Sequence, residues 1–432
     1  MNVWSPIELF SREKLREYQL NRLKPLLLSA NQKALYENKF RENNINIDQI
    51  NSIEDISKLP FTDKSDLVKG YEDGSFSIPP EHLYRWHQTS GSTGTPVRIP
   101  DSVNSWNQYG DLAAAALYGM GIRREDVAFV CFGYGPFIAF WSYIEGLNKI
   151  GSCFIPAGAL SSTQRVKMID SFGVTVLFST PTYALQLAEK ASKMGLDLSK
   201  TLKMSVHAGE ACTPLVKKKL SDALGIRPMD RFGTTETGGI AFECPHTSGI
   251  YHIQENHLIA EIIDPETKEP TPPGKTGELI VTPLYRREVP IIRFKTENLV
   301  KCAETNQCVC GRTMLSLEET SNGVVLQRLD QLIKVRGVLI NPAVISEVIS
   351  EFRKISEYQI VLQKRDISED VIIKVEPFVG LENSHEQIRS ELESILRERL
   401  LIRCEVKIVA PETLPRFEEK AKRIVDLRTQ SR

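Results

Sequence analysis

Little in this sequence would commit the chain to an unusual environment. Its 8 cysteines in 432 residues are too few for a disulfide scaffold; in a cytosolic protein such cysteines are buried thiols or metal ligands. No uninterrupted apolar run approaches the ~20 residues needed to span a bilayer, so a membrane-spanning helix is excluded. Neither sign of charge dominates. The formal net charge is −1, which argues against broad attraction to nucleic acid or to an anionic membrane surface. The opening residues, Met1-Asn2-Val3-Trp4-Ser5-Pro6, lack a basic start, an apolar centre and a small-residue cleavage site. The expected location is therefore cytoplasmic. Internal repeats and low-complexity tracts are missing as well.

What is present is the composition of a soluble globular protein, 41% hydrophobic and 25% charged, in a chain long enough for two or three lobes. Residues 1 to about 80 place apolar positions at helical spacing, as in Glu13-Lys14-Leu15-Arg16-Glu17-Tyr18. From about 105 to 240, short apolar runs (Val127–Phe132, Val174–Ser179, Met204–Ala208) alternate with helix-like stretches (Thr163–Phe172, Tyr183–Met194, Pro214–Leu224). That alternation predicts a parallel sheet covered by helices. Ile250–Ile253, His257–Ile263 and Gly277–Val281 read as antiparallel strands joined by turns such as Pro270-Thr271-Pro272-Pro273-Gly274. A further lobe starts near Arg328. It offers strands at Leu332–Val335, Tyr358–Gln363, Val371–Val375 and Glu405–Ile408, and helices at Pro342–Arg353 and about 384–400.

Three segments carry chemistry. In Thr89-Ser90-Gly91-Ser92-Thr93-Gly94-Thr95-Pro96, small hydroxyls and glycines alternate without a branched apolar residue. Such a segment is either a flexible turn or a loop that turns N–H groups and hydroxyls toward a phosphate. It is no Walker loop, because no Gly-Lys-Ser/Thr closes it at the required spacing; Gly274-Lys275-Thr276 does not supply one, since position 269 is Glu. Nor is Gly133-Tyr134-Gly135 a dinucleotide fingerprint, because position 138 is Ile. The second segment, Asp230-Arg231-Phe232-Gly233-Thr234-Thr235-Glu236-Thr237-Gly238-Gly239, offers a carboxylate among hydroxyls for Mg²⁺ and an aromatic ring for a purine face. Taken alone it could also be an ordinary loop. The third, His207-Ala208-Gly209-Glu210, is a strand end of the kind where parallel sheets place ligands.

In this order the three segments resemble the acyl-adenylate-forming superfamily, and the wider chain resembles its phenylacetate–coenzyme A ligase family. The resemblance is nearly full-length. It includes Leu59-Pro60-Phe61-Thr62-Asp63-Lys64, Gly133-Tyr134-Gly135, Ser179-Thr180-Pro181-Thr182-Tyr183, Cys308-Val309-Cys310-Gly311-Arg312, Arg336-Gly337 and Leu414-Pro415-Arg416 before Lys420. It implies an α/β fold: a large N-terminal domain over residues 1–327 with helix-covered sheets, and a small mobile α+β lid over residues 328–432. The implied activity is ATP- and Mg²⁺-dependent activation of an aromatic or arylacetic acid to an acyl-adenylate, followed by transfer to coenzyme A. Transfer to a carrier-protein phosphopantetheine or to an amine is one alternative, and a nucleotide-binding relative without turnover is another. A homodimer is implied too.

The resemblance also implies roles for individual residues. Thr89, Ser90, Gly91, Ser92, Thr93 and Gly94 grip the ATP phosphates. Gly209, Glu210, Arg231, Phe232 and Gly233 form the adenine pocket. Thr234 and Thr235 lie along the nucleotide, and Glu236 holds Mg²⁺. Tyr134, Gly135, Pro136, Phe140, Ala208 and Gly209 border the acid. Arg328 and Asp330 form the interdomain hinge, and Lys420 bridges carboxylate and α-phosphate. An ammonium ~4 Å from an anion contributes roughly 4 kcal/mol at an effective dielectric of ~20, against ~1 in water, so Lys420 acts only where water is excluded. Cys244, Cys308 and Cys310 read as soft ligands of a structural zinc, completed by His252 in preference to His246; reduced cysteines without metal are the other reading.

The chain departs from the family pattern in three places. Asn298 stands where an Asp meets the ribose, a change of about 1 kcal/mol per hydrogen bond. Gln327 and Glu419 stand where glycines precede the hinge arginine and the lysine. Both bear on the domain rotation that the second half-reaction requires.

Overall fold

The computed structural model describes residues 3–89, 95–133, 135–329, 332–335, 338–352, 354–365, 368–378, 380, 384–400, 402–417 and 423–428. These divide into two units, Met1–Leu326 and Gln327–Arg432. The first unit opens with helices α1 (Arg12–Asn31), α2 (Ala34–Glu42) and α3 (Lys64–Glu72). Their apolar faces, with Leu23, Leu26, Tyr36, Phe40 and Leu67, share one core with Leu284, Ile291, Ile292 and Phe294 from far along the chain. A hairpin follows: β1 (Leu83–Gln88) pairs antiparallel with β2 (Arg98–Ser102), His87 opposite Ile99.

Strands and helices then alternate: α4 (Val103–Met120), β3 (Val127–Val130), α5 (Ile138–Ile150), β4 (Cys153–Pro156), α6 (Ser162–Ser171), β5 (Val176–Ser179), α7 (Pro181–Lys193), β6 (Met204–His207), α8 (Pro214–Leu224) and β7 (Arg227–Thr234). Capping chemistry sets the helix ends. Thr180 and Thr213 accept the N–H groups of Tyr183 and Val216, and Pro181 and Pro214 stand in the first turns. Gly121 and Gly225 end α4 and α8 in the left-handed region. β4, β3, β5, β6 and β7 pair in parallel, and every residue of β5 is buried, as a strand covered on both faces requires.

The sheet continues as β8 (Gly238–Glu243), β9 (Ile250–Ile253), β10 (Leu258–Ile263), β11 (Thr276–Pro283), β12 (Phe294–Cys302) and β13 (Ser316–Glu318), and its strand order is β10-β11-β12-β13-β9-β8-β7-β6-β5-β3-β4. Strand β7 is the seam. Its first half runs parallel to β6, from Arg227 opposite Met204 to Asp230 opposite His207. Its second half runs antiparallel to β8, from Arg231 opposite Phe242. Asp230–Gly239 is therefore strand, tight turn and strand rather than loop. The glycines explain the difference, because a Cβ on Gly233 would lie 2.4 Å from the Gly238 carbonyl oxygen. β14 (Val325–Arg328) spans the boundary between the units.

The second unit contains the hairpin β15 (Ile333–Val335) and β16 (Val338–Ile340), then α9 (Pro342–Glu351), β17 (Ile355–Arg365), β18 (Ser368–Pro377), α10 (His385–Leu400), β19 (Glu405–Ile408) and β20 (Ile424–Asp426). Its sheet has the order β19-β18-β17-β20, antiparallel at the centre and parallel at both edges. Helix α10 buries Ile388, Leu392, Leu396 and Leu400, one stripe at helical spacing. Among the described residues no helix is long and apolar enough to cross a membrane.

Candidate active site and cysteine cluster

The carboxyl ends of β5, β6 and β7 converge at the seam, where ligands of open α/β sheets bind. His207 ties two of these ends together. Its Nδ1 lies 3.1 Å from the Ser179 carbonyl oxygen and its Nε2 2.7 Å from Ser205 Oγ. Burial pushes its pKa down to about 4, so the ring is neutral and donates to the carbonyl. Beyond it, Gly209 takes a left-handed φ of 86° that an L side chain would strain. Glu210 then accepts the Thr182 N–H at the start of α7 (3.2 Å).

The turn between β7 and β8 is held from behind. Tyr285 Oη donates to the Thr237 carbonyl (3.2 Å), and Arg286 Nη1 donates to the carbonyls of Thr235 (3.4 Å) and Glu236. Arg286 is fully buried and meets the equally buried Asp101 through both Nε (2.9 Å) and Nη2 (3.3 Å). Burial alone would raise the Asp101 carboxyl, but the Arg286 charge holds it below its ordinary value. Asp101 lies on β2, and 3.8 Å from it lies His87 of β1, stacked on Trp106. The two strands that carry the Thr89–Thr95 segment are thus bridged to the Thr235–Glu236 turn. Thr89 closes the base of the hairpin, its N–H donating to the Val97 carbonyl and its Oγ1 accepting the Val97 N–H (both 3.0 Å). Ser90, Gly91, Ser92, Thr93, Gly94, Tyr134, Asp330 and Lys420 lie outside the described residues.

The remaining candidates fall around this turn or in the core. Thr234 Oγ1 accepts the Thr237 N–H (3.2 Å). Phe232 packs on the core of the antiparallel half. Asn298 is buried, and its amide nitrogen donates to the Thr296 carbonyl (2.9 Å). The preceding Glu297 is left-handed (φ 58°) and paired with Lys64 (2.9 Å). Pro136 accepts the Gln88 N–H (3.0 Å), while Trp141 donates to the Gly135 carbonyl (2.9 Å). Phe140 belongs to the core beneath α5, edge-on to Trp141. Ala208 packs on that same core, and Arg328 is half-buried in β14. Arg231, expected with the adenine, turns its guanidinium to Ser142 and Tyr143 of α5. Asp101, Tyr285 and Arg286 carry no motif, and the bridge joins residues 185 positions apart.

On the opposite face of β7, Lys217 Nζ contacts Glu243 (2.8 Å), Glu319 (2.6 Å) and Tyr251 Oη (3.0 Å), and Tyr251 donates to Asp230 (3.0 Å). One ammonium faces three carboxyls. Burial, reinforced by Glu243 and only partly opposed by Lys217, pushes Asp230 up to about 7.

Cys244, His252, Cys308 and Cys310 place their ligand atoms within 4.8 Å of one another. Cys244 and Cys308 sulfurs are 3.7 Å apart, and Cys310 Sγ lies 3.3 Å from His252 Nε2. A tetrahedron with arms of ~2.3 Å has edges of about 3.8 Å, so the set fits zinc. The other ring nitrogen of His252 meets Ser316 Oγ (3.2 Å), the kind of support a metal-binding His receives. Hydrogen bonding with His252 lowers Cys308, and hydrogen bonding with Cys244 lowers Cys310. The ring of His246 is not in the group; its backbone N–H donates to Cys244 Sγ (3.4 Å).

The chain matches two family models, the AMP-binding enzyme over residues 3–283 and the AMP-binding enzyme C-terminal domain over residues 337–428. It is 31% identical to a phenylacetate-coenzyme A ligase of Pseudomonas putida, across 99% of this chain and 97% of that one. It is 30% identical to one of Escherichia coli, across 98% and 97%. Among solved structures, 2-hydroxyisobutyryl-CoA ligase in complex with R3-HIB-AMP superposes with a TM-score of 0.88 at 23% identity, covering 99% of this chain and 92% of that one.

Two outcomes follow from the charges at the seam. Asp101→Asn leaves Arg286 buried without its counter-charge and is expected to cost about 3–5 kcal/mol, read as a lowered denaturation midpoint; an unchanged midpoint contradicts the bridge. Asp230 has a folded pKa near 7 against an ordinary 3.8, so its stabilising contribution is full below 3.8 and lost as pH rises through 7. Melting temperatures should fall over that window in the wild type and fall less in Asp230→Asn.

Proposed function

Because the chain belongs to the phenylacetate–coenzyme A ligase family of AMP-binding enzymes, we propose that it joins an aromatic or arylacetic acid to coenzyme A in two steps. First, a carboxylate oxygen attacks the α-phosphorus of ATP, pyrophosphate leaves, and an acyl-adenylate forms. The coenzyme A thiol then adds to the acyl carbonyl and gives up its proton, and AMP departs. The observation that carries this reading is the turn bearing Thr235 and Glu236, fixed through Arg286 and Asp101 to the stems of the Thr89–Thr95 segment. Preorganised groups of this kind stabilise developing charge without reorganising during the reaction.

Residue roles are assigned from the family resemblance. Gly209, Glu210, Phe232 and Gly233 border the adenine, and Asn298 meets the ribose. Gly135, Pro136 and Ala208 border the acid, with Phe140 behind them. Among the described residues nothing hydrogen-bonds the Glu236 carboxylate, and its oxygens are the hard donors that Mg²⁺ takes. Bound there, the cation would offset triphosphate charge. Lys420 brings a second cation between the two repelling anions, and Arg328 with Asp330 forms the hinge. The zinc cluster is structural, because its four protein ligands leave no open position.

Incubation with ATP, Mg²⁺, coenzyme A and a panel of acids should yield AMP, pyrophosphate and a thioester from at least one aromatic acid. Lys420→Ala should keep the fold and lose about 10²–10³ of that rate. A thioester formed at the wild-type rate would overturn the role of Lys420, and ADP as the nucleotide product would overturn the reading. Metal analysis should find about one zinc per chain, falling in Cys308→Ser together with the melting temperature. Less than half a zinc per chain after gentle purification removes the metal assignment.

A further inference from the structure

Arg231 is a charged residue of the seam that the reaction leaves unused. It is only 6% exposed. Its Nη1 donates to Ser142 Oγ, but Nε and Nη2 are buried and have no hydrogen-bond partner among the described residues. Among the described residues no carboxylate lies within ion-pair distance of it. A guanidinium does not shed its proton, and an isolated buried charge is costly, so such a group persists where something else requires it.

The two unpartnered donors form one edge of the guanidinium, the edge that matches the two oxygens of a carboxylate. The same chain uses that edge repeatedly. Arg286 turns Nε and Nη2 to Asp101, Arg293 to Glu261 and Arg312 to Glu8, and Arg165 fills the edge with the carbonyls of Ala157 and Gly158. In Arg231 the edge meets no acceptor among the described residues. Gly239 leaves room for it, since a Cβ there would stand 2.2 Å from Nη2. The side chain also lies on the face of β7 toward α5, where the ligase reading puts the acid. Asp230 faces Tyr251, whereas Arg231 faces Ser142 of α5, the helix that follows the Gly133–Phe137 segment.

We propose that Arg231 determines specificity by receiving a second carboxylate on the acid, so that the substrate class is an aromatic dicarboxylic acid. One carboxylate is adenylated, and the other is held by the Nε–Nη2 edge. This rests on the ligase reading above. Both donors are shut off from bulk water, so admission of the acid needs a local opening, after which the pair forms in a low dielectric where it is strong.

The test compares phenylacetate with its ortho, meta and para ring-carboxylated counterparts, in the wild type, Arg231→Met and Arg231→Lys. In the wild type one dicarboxylate should exceed phenylacetate in kcat/KM by about 100-fold or more. Arg231→Met should abolish or reverse that preference mainly through KM, and Arg231→Lys should restore part of it. The melting temperature of Arg231→Met should hold or rise, because an unpaired buried charge is replaced by an apolar group. A wild-type preference for phenylacetate, an unchanged ratio in Arg231→Met, or a lowered melting temperature with both acids impaired equally would overturn the proposal. If the wild type turns over no acid, the ligase reading fails, and calorimetry with the dicarboxylates alone decides: binding lost in Arg231→Met supports the Arg231 site, and binding by neither protein refutes it.

Discussion

A single buried ion pair, Arg286 with Asp101, sets the geometry on which the rest of the site depends. Alone, either charge would be intolerable at full burial; together they cross-link two parts of the chain that share no secondary structure. One end anchors the hairpin that leads into and out of the Thr89–Thr95 segment. The other holds the main-chain carbonyls of Thr235 and Glu236, so the turn cannot drift from the hairpin. An enzyme that must bring a carboxylate to a triphosphate needs such fixed distances, because a 1 Å error costs about 100-fold in rate.

The seam in β7 explains why the turn lies where it does. Parallel pairing delivers strand ends to one edge, and antiparallel pairing then reverses the chain through a turn that needs Gly233 for close backbone approach and Gly238 for a left-handed φ of 74°. Opposite faces of β7 carry opposite electrostatics. Asp230 sits in a network where carboxyls outnumber cations, and Arg231 sits one residue later among tyrosines and a serine, without a counter-charge among the described residues.

Much of this was legible in the sequence because it is local. Strand–helix alternation from 105 to 240 pointed to the parallel half, and the helix-like stretches beginning at Tyr183 and Pro214 start within two residues of α7 and α8. The Cys-x-Cys-Gly knuckle pointed to a soft-ligand cluster. What escaped is non-local. Asp101, Tyr285 and Arg286 resemble ordinary residues until the fold joins them. An ordinary loop was one reading of Asp230–Gly239, whereas in the sheet Gly233 serves close backbone approach between two strands. Arg231 reads as part of a nucleotide motif, whereas its guanidinium is directed at Ser142 and Tyr143 of α5.

The most direct measurement is a single-turnover reaction of the protein with ATP, Mg²⁺ and an acid, without coenzyme A, analysed for the mixed anhydride with AMP. The account predicts an acyl-adenylate that stays bound and is consumed on addition of coenzyme A. ATP recovered intact across a broad range of aromatic mono- and dicarboxylic acids would contradict it.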